Sequence, residues 1–451
     1  MSVVASVLEE SEIAHRMPAV DEPRVDDPPV ELEPVTLVEW ETRRIELSES
    51  LARRLRDLPW LSVQPDSGAG YWKITAKQFV GGFTIDGLRV MVRPKINLEN
   101  LFLLLEVGLP EEARQPGAID YAETDDLLSE LISFFARRAE TTLARGHYHS
   151  YRHEEEDLLA LRGRLDFTRQ FRRGGLLVPM ACSYDDFTAD VAENRYLKAA
   201  MRRAIRVAGV KPVDRRRIMR LLVALEDVAD VPTDADDLER ITFTRLNDHY
   251  LHAMHLARLI LANLTLQDQH GDTTASAFML DMNKLFERFV TERLRQELSG
   301  RLEVEGQKSS TLDTDGNVRI KPDLLLSRDG TSVGVADIKY KLREAYESAA
   351  AEDAGSGIWA THADYYQLLA YTTALDHRCG TLIYCVDANE TGDGDAADRS
   401  DSSPARLAKS SIEVRNVGTR LHAVGIDLSG SPQSIRDQIT ALADHLVGYS
   451  T

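Results

Sequence analysis

Polar and apolar positions alternate through Trp72-Lys73-Ile74-Thr75-Ala76-Lys77-Gln78-Phe79-Val80 and again through Phe83-Thr84-Ile85 and Leu88-Arg89-Val90-Met91-Val92, with Gly81-Gly82 and Asp86-Gly87 between the runs. A period of two punctuated by glycine turns predicts a small antiparallel sheet, closed by Pro94. Leu98 to Val107 then reads as a buried apolar helix. Over 124–146 the period changes, and Leu127, Leu128, Leu131, Ile132 and Phe135 fall on one helical face. Leu161 to Phe167 reads as a turn into a strand. Residues 193–225 read as two amphipathic helices broken near Gly209 and Pro212, and Leu246 to Leu266 as one long helix. From Phe278 to Leu298 the apolar residues stand at 282, 285, 286, 289, 290 and 294, which is helical spacing with Glu287 near the edge of the apolar face. Arg301 to Glu305 follows as a strand, 358–375 as a second helix, and Gly380 to Val386 as a buried strand.

Between these elements lies VRIKPDLLLSRDGTSVGVADIKYK, residues 318–341. Asp329-Gly330 between two apolar runs is a strong hairpin signal. Asp323 and Asp337 are equidistant in sequence from Gly330, so a turn centred there sets them opposite each other. Directly opposed residues have Cβ atoms about 5 Å apart, and like charges there repel. Lys339, two residues beyond Asp337, shares its face. Two facing carboxylates call for a cation, and oxygen ligands at this spacing suit Mg²⁺, with Mn²⁺ as an alternative. An ordinary hairpin with exposed charges fits these three residues as well, and a bulge would shift the pairing by one.

Charge changes the picture in only one respect. The net charge of −19 over 451 residues is unusual for a DNA-binding chain. Residues 1–34 hold nine acids and two bases, and residues 386–404 hold six acids and one base, so −12 of the −19 falls in two stretches that read as flexible. The balance leaves room for a local basic groove. The most basic segment carries Arg202, Arg203, Arg206, Lys211, Arg215, Arg216, Arg217 and Arg220, which suits DNA phosphates, an acidic protein or an ordinary solvated helix face. Arg89, Arg93 and Lys95 read as solvated strand charges or as partner contacts. His147, His149 and His153, and His249, His252 and His255, have neither helical-pair nor zinc spacing. Three cysteines, Cys182, Cys379 and Cys385, form no disulfide framework. No apolar run approaches the roughly 20 residues that span a bilayer, and the N-terminus lacks a signal pattern, so no membrane is implied and a cytoplasmic location is expected. The chain has no GxxxxGK[ST] phosphate loop, so no bound nucleotide is expected by that route.

The order helix, strand, hairpin, helix, strand, together with Pro322-Asp323, Asp337-Ile338-Lys339, Glu287 and Gln367-Leu368-Leu369-Ala370-Tyr371, resembles the PD-(D/E)xK nuclease fold, the last element matching the QxxxY of its RecB-like branch. DMNKLFERFV, KPDLLL, DIKYK, ENRYLK, RGRLDF and the run ending in VRPKI further resemble the McrC family, over most of residues 70–430. The expected fold class is therefore α/β, with an acidic arm at 1–34, a β-rich docking domain at 35–123 and a mainly helical middle region at 124–275. A restriction-endonuclease-like mixed sheet flanked by helices is expected at 276–451, with an acidic loop at 386–404. The resemblance implies a Mg²⁺-dependent endonuclease acting on modified-cytosine DNA, partnered by a McrB-like AAA+ GTPase ring whose GTP hydrolysis it stimulates. It implies Asp323, Asp337 and the Ile338 carbonyl as metal ligands, Lys339 as the residue that orients or activates water, Glu287 as an accessory acid, and Gln367 and Tyr371 as phosphate- or lysine-positioning groups. A stand-alone RecB-like repair nuclease, or a docking and GTPase-activating subunit, are the competing expectations.

Overall fold

The computed structural model describes residues 33–105, 127–174, 176–207, 210–268, 274–340, 361–386, 407–415 and 417–449. The acidic arm at 1–34 and the acidic loop at 386–404 lie outside these residues but for their edges, as do Val107 and the first part of the helix expected from 358.

Strands β1 (Val35–Val38) and β2 (Thr42–Glu46) lead into helix α1 (Glu49–Arg56), whose N-cap Ser48 accepts the Leu51 N–H. β3 (Leu61–Pro65) and β4 (Tyr71–Ala76) join β2 in a three-stranded antiparallel sheet. β5 (Phe79–Ile85) and β6 (Leu88–Arg93) form a hairpin in a second sheet, so the single sheet expected over 72–92 is in fact two. Gly81-Gly82, expected at a turn, lies inside β5. A Cβ on Gly81 would stand 2.0 Å from the Phe278 carbonyl oxygen, so glycine here permits close approach of a neighbouring strand. Gly81→Ala is expected to cost about 2–3 kcal/mol, read as a lower urea midpoint with an unchanged slope.

Helices α2 (Leu98–Leu105) and α3 (Leu127–Ala144) precede a ribbon made of β7 (Ser150–Leu158), β8 (Arg164–Leu165), α4 (Phe167–Phe171) and β9 (Met180–Thr188). Helices α5 (Ala192–Ile205), α6 (Pro212–Ala224) and α7 (Leu251–Asn263) pack with α3 through Leu131, Phe135, Leu197, Met201, Ile218 and Met254. The helix expected to run from Leu246 to Leu266 ends at Asn263, because β10 (Leu264–Asp268) pairs antiparallel with β11 (Thr274–Asp281). Both strands complete the N-terminal sheet in the order β1-β6-β5-β11-β10, so the division expected at 275/276 falls inside β11.

Helix α8 (Met282–Glu297) starts where Asp281 accepts the Asn283 and Lys284 N–H groups, four residues later than its apolar period implied. There follow β12 (Glu303–Gly306), the short pair β13 (Ser310–Thr311) and β14 (Arg319–Ile320), then β15 (Leu324–Arg328) and β16 (Thr331–Lys339). The helix His362–Ala374 opens on a Thr361/Asp364 capping box, and β17 (Cys379–Val386), β18 (Ala408–Glu413), β19 (Arg420–Asp427) and the helix Pro432–Tyr449 end the described chain. The six strands lie in the order β12-β15-β16-β17-β19-β18, parallel at β16/β17 and β17/β19 and antiparallel elsewhere. Ala336 and Ile338 of β16 pack into the core shared with α8 and the helix Pro432–Tyr449, while Val335 packs with Tyr365, Leu368 and Tyr371 of the helix His362–Ala374. Alternation along β16 thus turns Asp337 and Lys339 toward the latter helix.

Among the described residues, hydrogen bonds tie the N-terminal part of the chain to the segments that border this second sheet. Buried Glu39 Oε2 accepts both the Lys95 N–H (3.0 Å) and the Tyr340 hydroxyl (3.1 Å), and burial pushes its carboxyl up to about 7. Asn100 Nδ2 donates to the carbonyls of Leu428 and Gly430. Among the described residues no helix is long and apolar enough to cross a membrane.

Candidate active site

Asp329 and Gly330 both have positive φ, 49° and 76°, the pair of left-handed residues that a type I′ turn requires. This turn pairs Arg328 with Thr331 and Ser327 with Ser332. Val333 is then extra, a bulge, beyond which Leu326 pairs with Gly334 and Leu324 with Ala336. Continued by one residue, the register brings Asp323 opposite Asp337. The Asp323 carboxylate reaches across and accepts the Ile338 N–H at 2.7 Å, which ties it to the neighbouring strand.

Asp337 is 1% exposed. Burial, reinforced by the charge of Asp323, pushes its carboxyl up to about 6. Asp323 is also raised, first by burial; the Ile338 N–H opposes this and the charge of Glu287 adds to it. Lys339 Nζ lies 2.7 Å from Asp337 Oδ2. Burial works against the ammonium, but Asp337 and Asp323 outweigh it and its pKa is raised. The Lys339 ammonium is thus paired with a carboxylate oxygen that is itself buried. Two buried carboxylates facing each other, with a single ammonium to offset them, fit a hard divalent cation. Among the described residues no three His, Cys, Asp or Glu side chains converge as a ready-made ligand set. Two carboxylates plus water and main-chain oxygens is the donor number Mg²⁺ accepts.

The flanking helices bring in the other expected residues. Glu287 of α8 accepts a hydrogen bond from Gln307 Nε2 at 2.5 Å, and its charge is felt at Asp323. Gln367 Nε2 donates to the Tyr371 hydroxyl at 2.6 Å, and that hydroxyl donates to the Lys321 carbonyl at 3.5 Å. Burial raises Tyr371, whose hydroxyl also feels Asp337, Lys339 and Asp323. For Ile338 the structure shows a committed amide, bonded to Asp323.

Two side chains at the site have no counterpart in the sequence reading. Buried Asp364 accepts from Thr361 Oγ1 (2.7 Å) and the Tyr384 hydroxyl (3.3 Å), and its charge helps to raise Lys339. Tyr384 itself is the strand partner of Lys339. The Thr361-x-x-Asp364 capping box was the available signal.

Other candidates resolve differently. Arg202 pairs with Asp230, Lys211 with Glu130 and Arg217 with Glu140, while Arg203 and Arg215 donate to main-chain carbonyls, so much of the basic segment is neutralised within the fold. His153 pairs with Asp185 and His149 stacks on Phe187, with no metal cluster among the described residues. The ribbon instead exposes large apolar side chains, among them Leu159, Phe167, Phe171, Leu176 and Leu177.

A family model described as McrBC 5-methylcytosine restriction system component matches residues 74–385. No curated protein matches the chain. Among solved structures, one similar chain comes from a half-complex of a tetradecameric assembly of Thermococcus gammatolerans McrB AAA+ hexamers with bound McrC. It is 20% identical, with 91% of this chain and 100% of that chain covered and a TM-score of 0.55. A second comes from the cryo-EM structure of the Thermococcus gammatolerans McrBC complex, at 23% identity, 59% and 88% coverage and a TM-score of 0.41. The first likeness concerns the fold, a mixed α/β architecture with several sheets.

Proposed function

The chain belongs to the McrBC family of 5-methylcytosine restriction system components, and on that premise we propose that it is the DNA-cutting subunit of such a system. Its reaction is Mg²⁺-dependent hydrolysis of phosphodiester bonds in methylcytosine-containing DNA. The observation that carries this reading is the hairpin register, which sets Asp323 against Asp337 with Lys339 beside them. The surrounding sheet, with α8 on one face and the helix His362–Ala374 on the other, is read as a PD-(D/E)xK nuclease domain.

Asp323 and Asp337, with the Ile338 carbonyl, would hold the metal. A Mg²⁺ ion held by these groups would supply a coordinated water of lowered pKa and positive charge to offset that on the scissile phosphate. Lys339 orients the attacking water and balances charge in the transition state from a fixed position, held by Asp337 on one side and the field of Asp364 on the other. Gln367 and Tyr371 form a hydrogen-bonded pair that would position the phosphate or the lysine. Glu287 supplies a further carboxylate toward the metal or its waters.

The partner is an AAA+ ring like the McrB hexamers of the solved complex, and in this reading the ring selects the modified DNA and hydrolyses GTP. A second role, docking on that ring and stimulating its GTPase, is favoured by the exposed apolar side chains of the ribbon, which offer a protein-binding surface. The test is cleavage of methylated and unmethylated plasmid with Mg²⁺, with and without the adjacent AAA+ protein and GTP. Cutting confined to the methylated, partner- and GTP-containing reaction is expected. Equal cutting by the chain alone would turn the reading to a stand-alone repair nuclease. GTPase stimulation retained by the Asp323→Ala/Asp337→Ala/Lys339→Ala variant, without cutting, would show that the two roles are separable.

A further inference from the structure

Strand β12 ends at Gly306, opposite Leu324, and the next residue continues the ladder in an unusual way. Gln307 N–H donates to the Asp323 carbonyl at 2.9 Å, while its φ is +50°. A residue with a Cβ enters this left-handed region at a cost, and glutamine lacks the short polar side chain that eases it for asparagine and aspartate. Asp86 and Asp329, which share the feature, sit in Asp-Gly turns; Gln307 does not. Its side chain is exposed and fills no core. What the conformation achieves is to swing the amide back onto α8, where Nε2 donates to Glu287 Oε1 at 2.5 Å. Local strain that serves no packing purpose is a marker of function.

We propose that Gln307 is a positioning residue that holds Glu287 toward the Asp323/Asp337 pair without neutralising it. The proposal rests on the nuclease reading. The chemistry of the donor matters: an arginine or lysine would cancel the Glu287 charge and compete with the metal, whereas a neutral amide occupies one carboxylate oxygen and leaves the other for a metal-bound water. The main-chain bond to Asp323 and the side-chain bond to Glu287 come from one residue, so the spacing between the two acids is set by a single left-handed unit.

Gln307→Gly separates this role from a structural one, because glycine takes the same backbone with less strain and lacks only the amide. The full chain with its AAA+ partner should show a thermal midpoint unchanged or higher, turnover lowered about tenfold and an unchanged KM for DNA. The Mg²⁺ concentration for half-maximal cutting should rise several-fold. Adding Glu287→Gln to Gln307→Gly should lower cutting no further than Glu287→Gln alone. Wild-type turnover in Gln307→Gly, or fully additive losses in the double variant, would overturn the proposal. Should the wild-type chain not cut at all, the nuclease reading fails, and the rise in thermal midpoint on adding Mg²⁺ decides the present point separately. A smaller rise in Gln307→Gly supports it, and an equal rise overturns it.

Discussion

Asp337→Asn is expected to abolish cutting, by on the order of 10³-fold or more, and at the same time to raise the stability of the metal-free protein at neutral pH. Both effects have one cause. Asp337 is almost fully buried, faces Asp323 and is held up to about 6. Its folded-state pKa lies above the unfolded value near 3.8, so the stability it contributes is complete below that value and is lost as pH rises through about 6. At pH 7.5 without metal the folded protein carries the full cost, at most about 3 kcal/mol, and an isosteric amide escapes it. Mg²⁺ reverses the comparison by binding the wild-type site and leaving the variant unaffected. Thermal unfolding of both proteins at pH 5 and pH 7.5, with and without Mg²⁺, reads the prediction directly. Wild-type cutting should also fall as pH drops below about 6, as protons compete for the same oxygens. A variant that still cuts, or that is less stable than wild type at pH 7.5 without metal, would remove Asp337 from the site.

How far this site was legible depends on the range over which each feature is specified. The Asp329-Gly330 turn is local, and the sequence pattern located it. The opposition of Asp323 and Asp337 was read by centring the turn on Gly330, yet the structure reaches it by two offsetting features. The two-residue turn alone would set Asp323 opposite Ala336, and the extra residue at Val333 restores the register. A bulge has no sequence signature of its own, since it answers to the twist of the sheet. Gln367 and Tyr371 were legible because one helix turn suffices to join them. Gln307 was not, because its meaning lies in a left-handed backbone and a contact with a residue on another element. The basic helices show the same limit from the other side. Lys211 and Arg217 form a charge run in sequence, but their partners Glu130 and Glu140 lie on α3, so no reading of the segment alone finds them neutralised. Nor does the apolar period of α7 reveal that Leu264 leaves it to pair with Phe278 and complete the N-terminal sheet.

Lys339→Met should lower cutting about a hundred- to thousandfold and, unlike Asp337→Asn, should destabilise the protein. Removing the ammonium leaves Asp337 and Asp323 buried against each other without the cation that offsets them. Breaking one side of a buried pair costs more than the pair is worth; part of this is relieved here by proton uptake, leaving about 1–3 kcal/mol. The Asp337 carboxyl then rises above its present value near 6, so the acid limb of the residual cutting moves to higher pH. Mg²⁺ should restore much of the stability but not the rate, because the metal replaces the missing charge without orienting the water. Lys339→Arg should not rescue cutting, since a planar guanidinium cannot occupy the position of a point charge 2.7 Å from Oδ2. The deciding measurement is the double variant. If the lysine acts through the carboxylate pair, adding Asp337→Asn to Lys339→Met raises stability by more than Asp337→Asn raises that of the wild type, because it then removes a charge left unpaired. Simple addition of the two single effects on stability would instead mean that Lys339 and Asp337 do not form one electrostatic unit, and the site would have to be rebuilt around Asp323 and Glu287.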